Sequence, residues 1–142
     1  MTIEKTLSII KPDIIKKNLI GEIINIFEKK GLRMVGIKML QLTPQQAEEF
    51  YKEHKGKIFF ADMIKFMCSS PVVIICWKGE NAIKLNREIM GATNPKEAKE
   101  GTVRKKYGES IDFNAIHGSD SPHAAGREIE FFFQEKEIYP RY

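Results

Sequence analysis

The chain has 142 residues, of which 42% are hydrophobic and 30% charged, a balance that suits one globular domain and excludes a disordered or fibrous segment. Its formal net charge of +4 leaves both nucleotides and nucleic acid open as anionic partners. Cys68 and Cys76 are too few for a disulfide framework or zinc site and read as small hydrophobes in a reducing cytosol, and the longest apolar run, Val72 to Trp77, falls far short of the ~20 residues that span a bilayer. Met1 to Lys5 lacks the basic start and apolar stretch of a signal peptide, so a cytoplasmic location with no membrane association is expected.

Thr6 to Lys11 is predicted to be a strand, ended by Pro12, which cannot donate to a ladder. Ile20, Ile23, Ile24 and Phe27 recur at the spacing of a helix with one buried face. Gly31 caps that helix, because glycine takes the left-handed conformation without steric cost. Val35, Ile37 and Met39 alternate with Gly36, Lys38 and Leu40, which predicts a long strand half exposed on one side. Thr43-Pro44-Gln45-Gln46 opens a helix, with a capping hydroxyl, proline in the first turn and a glutamine that reaches back. Ala47, Phe50, Tyr51 and His54 continue it on one face. Phe59, Phe60, Met63, Ile64 and Met67 mark a second short helix, stopped before Pro71. Val72 to Trp77 is continuous and largely β-branched, as a strand buried on both faces requires. Ala82, Leu85 and Ile89 carry the next helix, to Gly91. Asn114 to His117 is a short strand, and Ser121-Pro122 opens a last helix burying Ala125, Ile129 and Phe132.

This order predicts one α/β (α+β) domain over residues 1–142: a ferredoxin-like βαββαβ antiparallel sheet with added helices, packed in two layers. Such a fold names no function by itself. From about Gly91 to Asn114 the chain shows no clear periodicity, and a compact domain seldom keeps so long a loop unless it works. It holds Thr93, Arg104, Lys105 and Lys106, which makes it a candidate active-site loop.

Asn114-Ala115-Ile116-His117-Gly118-Ser119-Asp120-Ser121 carries the strongest chemical signal. A histidine at a strand end is followed by glycine, which lets backbone and ligand approach, and then by small polar residues opening a helix. A helix start favours an anion, and neutral imidazole is a nucleophile for phosphorus. Glu128 on the same helix is placed to hold one ring nitrogen. Two readings of His117 stand on these grounds, a catalytic group and a structural histidine bonded to its helix cap. Lys11 reads either as a ligand cation or as a solvated strand-end lysine, and Tyr51 and Phe59 as site or core. Arg87 shares a face with Ile83 and Met90, where a surface ion pair is the plain reading. His54 is expected to be packed or half exposed, and His123 to sit in an exposed first turn. Gly31 to Lys38 fails as a P-loop, since the lysine is one place late and no Ser or Thr follows. No G-x-G-x-x-G, G-x-S-x-G or H-E-x-x-H occurs.

The stretch Asn114 to Ser121 strongly resembles the active-site signature of nucleoside diphosphate kinases. Thr6 to Asp13, Phe50-Tyr51, Phe59-Phe60, Gly91 to Pro95 and Gly101 to Arg104 resemble further family blocks, in family order. The resemblance covers essentially the whole chain, and the short tail after Phe133 looks like the bacterial form. It implies a ping-pong transfer of the γ-phosphate of a nucleoside triphosphate, typically ATP, to a nucleoside diphosphate, maintaining NTP and dNTP pools. The phosphate would rest on Nδ1 of His117, with Glu128 on the other nitrogen and Ser119 supporting Glu128. Lys11 and Tyr51 would join the catalytic set; Arg87, Thr93 and Arg104 would hold phosphate, and Lys11 and Asn114 sugar hydroxyls. Phe59 and Ile111 would grip the base, which tolerates purines and pyrimidines alike because stacking has no hydrogen-bond code. Mg²⁺ would bridge the phosphates with few or no protein ligands. Family members are commonly tetramers or hexamers, so a homotetramer is expected, with a homohexamer as the alternative.

Ile58 departs from the usual proline, Ile111 from the usual valine, Lys105-Lys106 from a small residue and an acid, and His123 from an acid. These would bear on nucleotide affinity and its salt dependence. Nucleic acid is not expected as the primary partner: basic residues are scattered, and no strand carries an RNP-type run of glycine and aromatics.

Overall fold

Proline lacks the N–H that a ladder needs but fits a helix's first turn, so Pro12 both ends β1 (Ile3–Ile10) and opens α1 (Pro12–Lys17). α1 is not expected from the sequence, where Pro12 reads only as the end of the strand. The computed structural model describes residues 2–141. After α1 come α2 (Ile20–Lys29), β2 (Arg33–Leu40), α3 (Pro44–Phe50), α4 (Phe60–Met67), β3 (Val72–Glu80), α5 (Ala82–Met90), α6 (Val103–Tyr107), β4 (Ile116–Gly118) and α7 (Pro122–Phe132).

The four strands form one antiparallel sheet in the order β2-β3-β1-β4, as a ferredoxin-like βαββαβ domain requires. β3 lies inside and is buried on both faces from Val72 to Trp77. Its side chains alternate between two cores. Ile74 and Cys76 pack with Phe50, Met67 and Phe132 from α3, α4 and α7. Val73, Ile75 and Trp77 pack with Ile14, Phe27 and Ile89 from α1, α2 and α5. Helices therefore cover both faces of the sheet, and the added ones make a third layer where two were expected.

Other differences have local causes. A bulge at Val35 switches the side of β2, so Val35 is 3% exposed while Ile37 and Met39 are 50% and 58% exposed. A bulge leaves one residue unpaired and reverses every later side chain. The chain from Phe133 to Ile138 then packs on Gly36, where a Cβ would stand 3.0 Å from Ile138 Cδ1. The Thr43 capping box forms, but α3 stops at Phe50, and Lys52–His54 is a 3₁₀ turn that takes His54 off the helix face. The segment after Gly91 is not irregular throughout. It holds a 3₁₀ turn at Pro95–Glu97 and then α6, whose cap is Thr102. Among the described residues no helix is long and apolar enough to cross a membrane.

β4 is short, and its pairing of Ile9 with His117 brings the histidine beside the C-terminal half of β1. Gly118 follows with no room for a side chain: a Cβ there would run into Met90 Sδ and Asn86 Nδ2 of α5. The glycine thus serves helix packing, and it also lines the cleft beside His117, where the sequence placed a close ligand approach. Gly118→Ala is expected to lose about 1–3 kcal/mol of stability by overpacking. A urea midpoint equal to that of the parent protein would contradict this.

Candidate active site

β4 delivers His117 to the wall of a cleft of about 700 Å³. Its Nε2 lies 2.9 Å from Glu128 Oε1, and the Ser119 hydroxyl donates to the same oxygen at 2.8 Å. Glu128 is 4% exposed, on the buried face of α7. Burial by itself raises its carboxyl pKa; the hydrogen bond from His117, joined by the ring's charge when it is protonated, and lesser help from Ser119 and Arg127 bring it below the usual value. The carboxylate is thereby kept ionised to accept Nε2–H, and a neutral ring so bonded carries its lone pair on Nδ1. Rings fix the imidazole plane from the side. Phe50 and Tyr51 meet it edge-on, with centroids at 5.4 and 6.0 Å.

Tyr51 belongs to the core and also lines the cleft. Its ring belongs to the packed core, while its hydroxyl is buried without a hydrogen-bond partner among the described residues and the cleft runs past it. Burial, and then the charge of Glu128, raise its pKa, so the phenol stays a donor.

Three cations face the same cleft. Lys11, half-buried just past β1, donates from Nζ to Asn114 Oδ1 at 2.8 Å. Burial, and next the charge of Arg104, push its pKa down to about 8 against the opposing pull of Asp13. Arg104 on α6 is buried and donates to the carbonyls of Asn114, Gly91 and Ile116 at 3.3, 3.0 and 2.7 Å. Burial and the nearby Arg87 charge lower its pKa to about 10, which leaves it cationic at neutral pH. Arg87 on α5 is exposed at the cleft wall. Asn114 Nδ2 reaches the Thr93 carbonyl at 3.1 Å, which ties the loop after α5 to the start of β4.

Phe59 and Ile111 line the cleft and are both substantially exposed, as a pair meant to hold a flat ring would be. All the residues named from sequence except Ser119 line this one cleft, and Ser119 is hydrogen-bonded to Glu128, which does. Of the departures, Ile111 lines the cleft and the others fall elsewhere. Ile58 is 100% exposed beside Phe59, and Lys105, Lys106 and His123 are exposed and outside the cleft lining. His54 is half exposed, as expected, but also lines the cleft, and Phe113 is not singled out from the sequence. His54 lines the cleft with its ring 5.8 Å from Phe59. Phe113 stands edge-on to Phe66 at 4.8 Å, both on the cleft wall. The available signal for Phe113 was an aromatic residue in a loop just before Asn114, too weak to stand alone.

Comparisons with known proteins agree with this geometry. The family model described as "Nucleoside diphosphate kinase" matches residues 4–138. A nucleoside diphosphate kinase of Halorhodospira halophila is 57% identical over 141 residues, 99% of this chain and all of that protein. The Aquifex aeolicus nucleoside diphosphate kinase superposes with a TM-score of 0.94 at 41% identity, covering 96% of this chain and 99% of the other. A halophilic nucleoside diphosphate kinase from Halobacterium salinarum, in complex with CDP, gives 0.96 at 39% identity, covering 99% and 94%. A buried carboxylate beneath a cleft histidine, cations around it and these matches lead to one conclusion: the chain belongs to the nucleoside diphosphate kinase family and is a phosphotransferase that acts on nucleotides.

Proposed function

We propose that His117 carries the phosphate, receiving it from a nucleoside triphosphate and passing it to a diphosphate in a ping-pong cycle. The observation that supports this most is the 2.9 Å contact between Nε2 and Glu128, which leaves Nδ1 as the ring nitrogen without a hydrogen-bond partner among the described residues. In the first half-reaction the Nδ1 lone pair attacks the γ-phosphorus, and the bond from phosphorus to the bridging oxygen breaks. That electron pair leaves with the diphosphate. In the second half, a terminal oxygen of another diphosphate attacks the phosphorus, and the P–N bond returns its electrons to the ring. The imidazole becomes cationic as the P–N bond forms, and the ionised Glu128 carboxylate offsets that charge in a setting with little water.

Phosphoryl transfer asks a protein for position and charge more than for covalent chemistry. Lys11, Arg87, Thr93 and Arg104 would spread the charge of the transferring group, and Tyr51 would offer its unpartnered hydroxyl. Asn114, with Lys11, would take the sugar hydroxyls. Phe59 and Ile111 would hold the base without reading its edges, so ATP, GTP, GDP and deoxynucleotides all fit. The donor set also suits Mg²⁺. Among the described residues no three His, Cys, Asp or Glu cluster as a metal cage, and the cleft presents isolated carboxylates such as Asp62 and Asp120 among its cations. Mg²⁺ binds readily through phosphate oxygens and water, and it would supply charge neutralisation along the phosphates.

For the assembly, the exposed Ile37 and Met39 on the edge strand β2 support pairing with a second copy of this chain. A homotetramer built from such pairs is the favoured form, with a homohexamer as alternative. A cytoplasmic location is consistent with nucleotide substrates.

Incubation with γ-labelled ATP is expected to label the protein in an acid-labile, base-stable form, and unlabelled GDP is expected to remove the label as GTP. A His117→Ala protein that still labels and still forms GTP would sink the mechanism. The cleft electrostatics make a second prediction. Because burial holds Lys11 near pKa 8, about half of its side chains are neutral at pH 8. An arriving phosphate favours the ammonium and raises that pKa, so ADP binding at pH 8 should take up protons. Calorimetry in buffers of differing ionisation enthalpy reads the uptake directly; zero uptake, or release, contradicts it.

A further inference from the structure

We infer that Asp13 is a positioning residue for His117: its carboxylate holds the strained turn at Ala115 from which β4 carries the histidine into the cleft. The inference rests on the reading of His117 as the phosphate carrier. Ala115 is fully buried at φ +75°, in the left-handed region that an alanine side chain disfavours. The Ile116 N–H donates to the Asn114 carbonyl at 2.9 Å, closing a three-residue γ-turn around it, a strained form when φ is positive. Such a turn persists only where its surroundings over-determine it.

Those surroundings come from the segment just after β1. The Lys11 N–H donates to the Ala115 carbonyl at 2.9 Å, and the Ala115 N–H donates to Asp13 Oδ2 at 3.0 Å. Residues 11 and 13 thus pinch residue 115 from both of its polar ends. On the other flank, Arg104 donates to the carbonyls of Asn114 and Ile116. Asn114, one residue before the turn, bonds Lys11 Nζ through its side chain; His117, two residues after it, must meet Glu128 on α7. A rotation at Ala115 would therefore move the proposed sugar-binding group and the proposed nucleophile together.

Asp13 itself is arranged more strictly than a helix-start acid needs to be. It is 8% exposed, and its Oδ1 has no hydrogen-bond partner among the described residues. An acid serving only the first turn of α1 could do so from the surface. Burial raises its pKa, while the Ala115 bond and the Lys11 charge oppose the rise, so the bond to the turn favours the ionised form.

The test separates holding the turn from capping a helix. Asp13→Ser keeps a first-turn hydroxyl but is too short to replace the bond to Ala115. At saturating γ-labelled ATP, followed by rapid quench, its labelling rate is expected to fall about 10- to 100-fold, the scale of a displaced reacting group. Asp13→Asn, whose amide oxygen can still accept, should stay within about threefold. Adding Ala115→Gly to Asp13→Ser should restore most of the rate, because glycine takes positive φ without strain. Melting temperatures are read alongside. If Asp13→Ser labels at the parental rate, or if Ala115→Gly restores none of the loss, the inference fails while the carrier reading stands. An unsubstituted protein that does not label overturns the carrier reading, and this inference with it.

Discussion

A carboxylate removed from water must either take up a proton or find donors, and Glu128 has found donors. It sits under the sheet edge with His117 and Ser119 on one oxygen and Arg127 Nη2 3.9 Å from the other. This arrangement requires α7 to start at once after β4, in a fixed register. Ser121 secures that start by accepting from the Ala124 N–H at 3.0 Å. Gly118 lets α5 come close enough to support β4 from its other side. Below it runs a buried polar chain, in which Trp77 Nε1 donates to Ser8 Oγ and Ser8 Oγ donates to Asn86 Oδ1 at 3.1 and 2.8 Å. Satisfied networks of this kind favour one arrangement of the elements they join. The histidine's direction is thus a property of the whole sheet edge.

Charge in the cleft follows a complementary rule. Arg104 holds the backbone together through three carbonyls, whereas Arg87 remains exposed at the wall. Lys11 stands between these cases, bonded to Asn114 yet depressed in pKa by burial and by Arg104. Cations held together out of water are under mutual repulsion, and a polyphosphate relieves it. On the proposed reading, part of the anion's binding free energy is prepared before it arrives, by the folding that brings these side chains to one cleft.

Much of this was legible in the sequence where a residue's role is local. The Thr43 capping box, the continuous strand from Val72 to Trp77 and the glycine stops at Gly31 and Gly91 follow from propensity and pattern. Ile37 and Met39 were misread because alternation assumes an unbroken ladder, and the bulge at Val35 depends on how β2 meets β3. The third layer was missed because periodicity shows that a helix buries a face but not which side of the sheet receives it. Among candidate residues, local chemistry drew attention to His117 without deciding between its two readings, and it left Lys11, Tyr51, Phe59 and Arg87 undecided as well. Family resemblance, not periodicity, brought those together, and the cleft lies along all of them. Asp13 gave no local signal, since its partner is a backbone N–H about a hundred residues away whose need for support arises only in the folded turn.

On the proposed mechanism, the Glu128 contact on Nε2 reserves Nδ1 for the phosphate. Phosphorus NMR of the ATP-phosphorylated protein, set against authentic phosphohistidine isomers after base digestion, tests it directly. The account predicts the Nδ1 isomer alone. Phosphate on Nε2 would show that Glu128 does not hold that nitrogen during the reaction, and would contradict it.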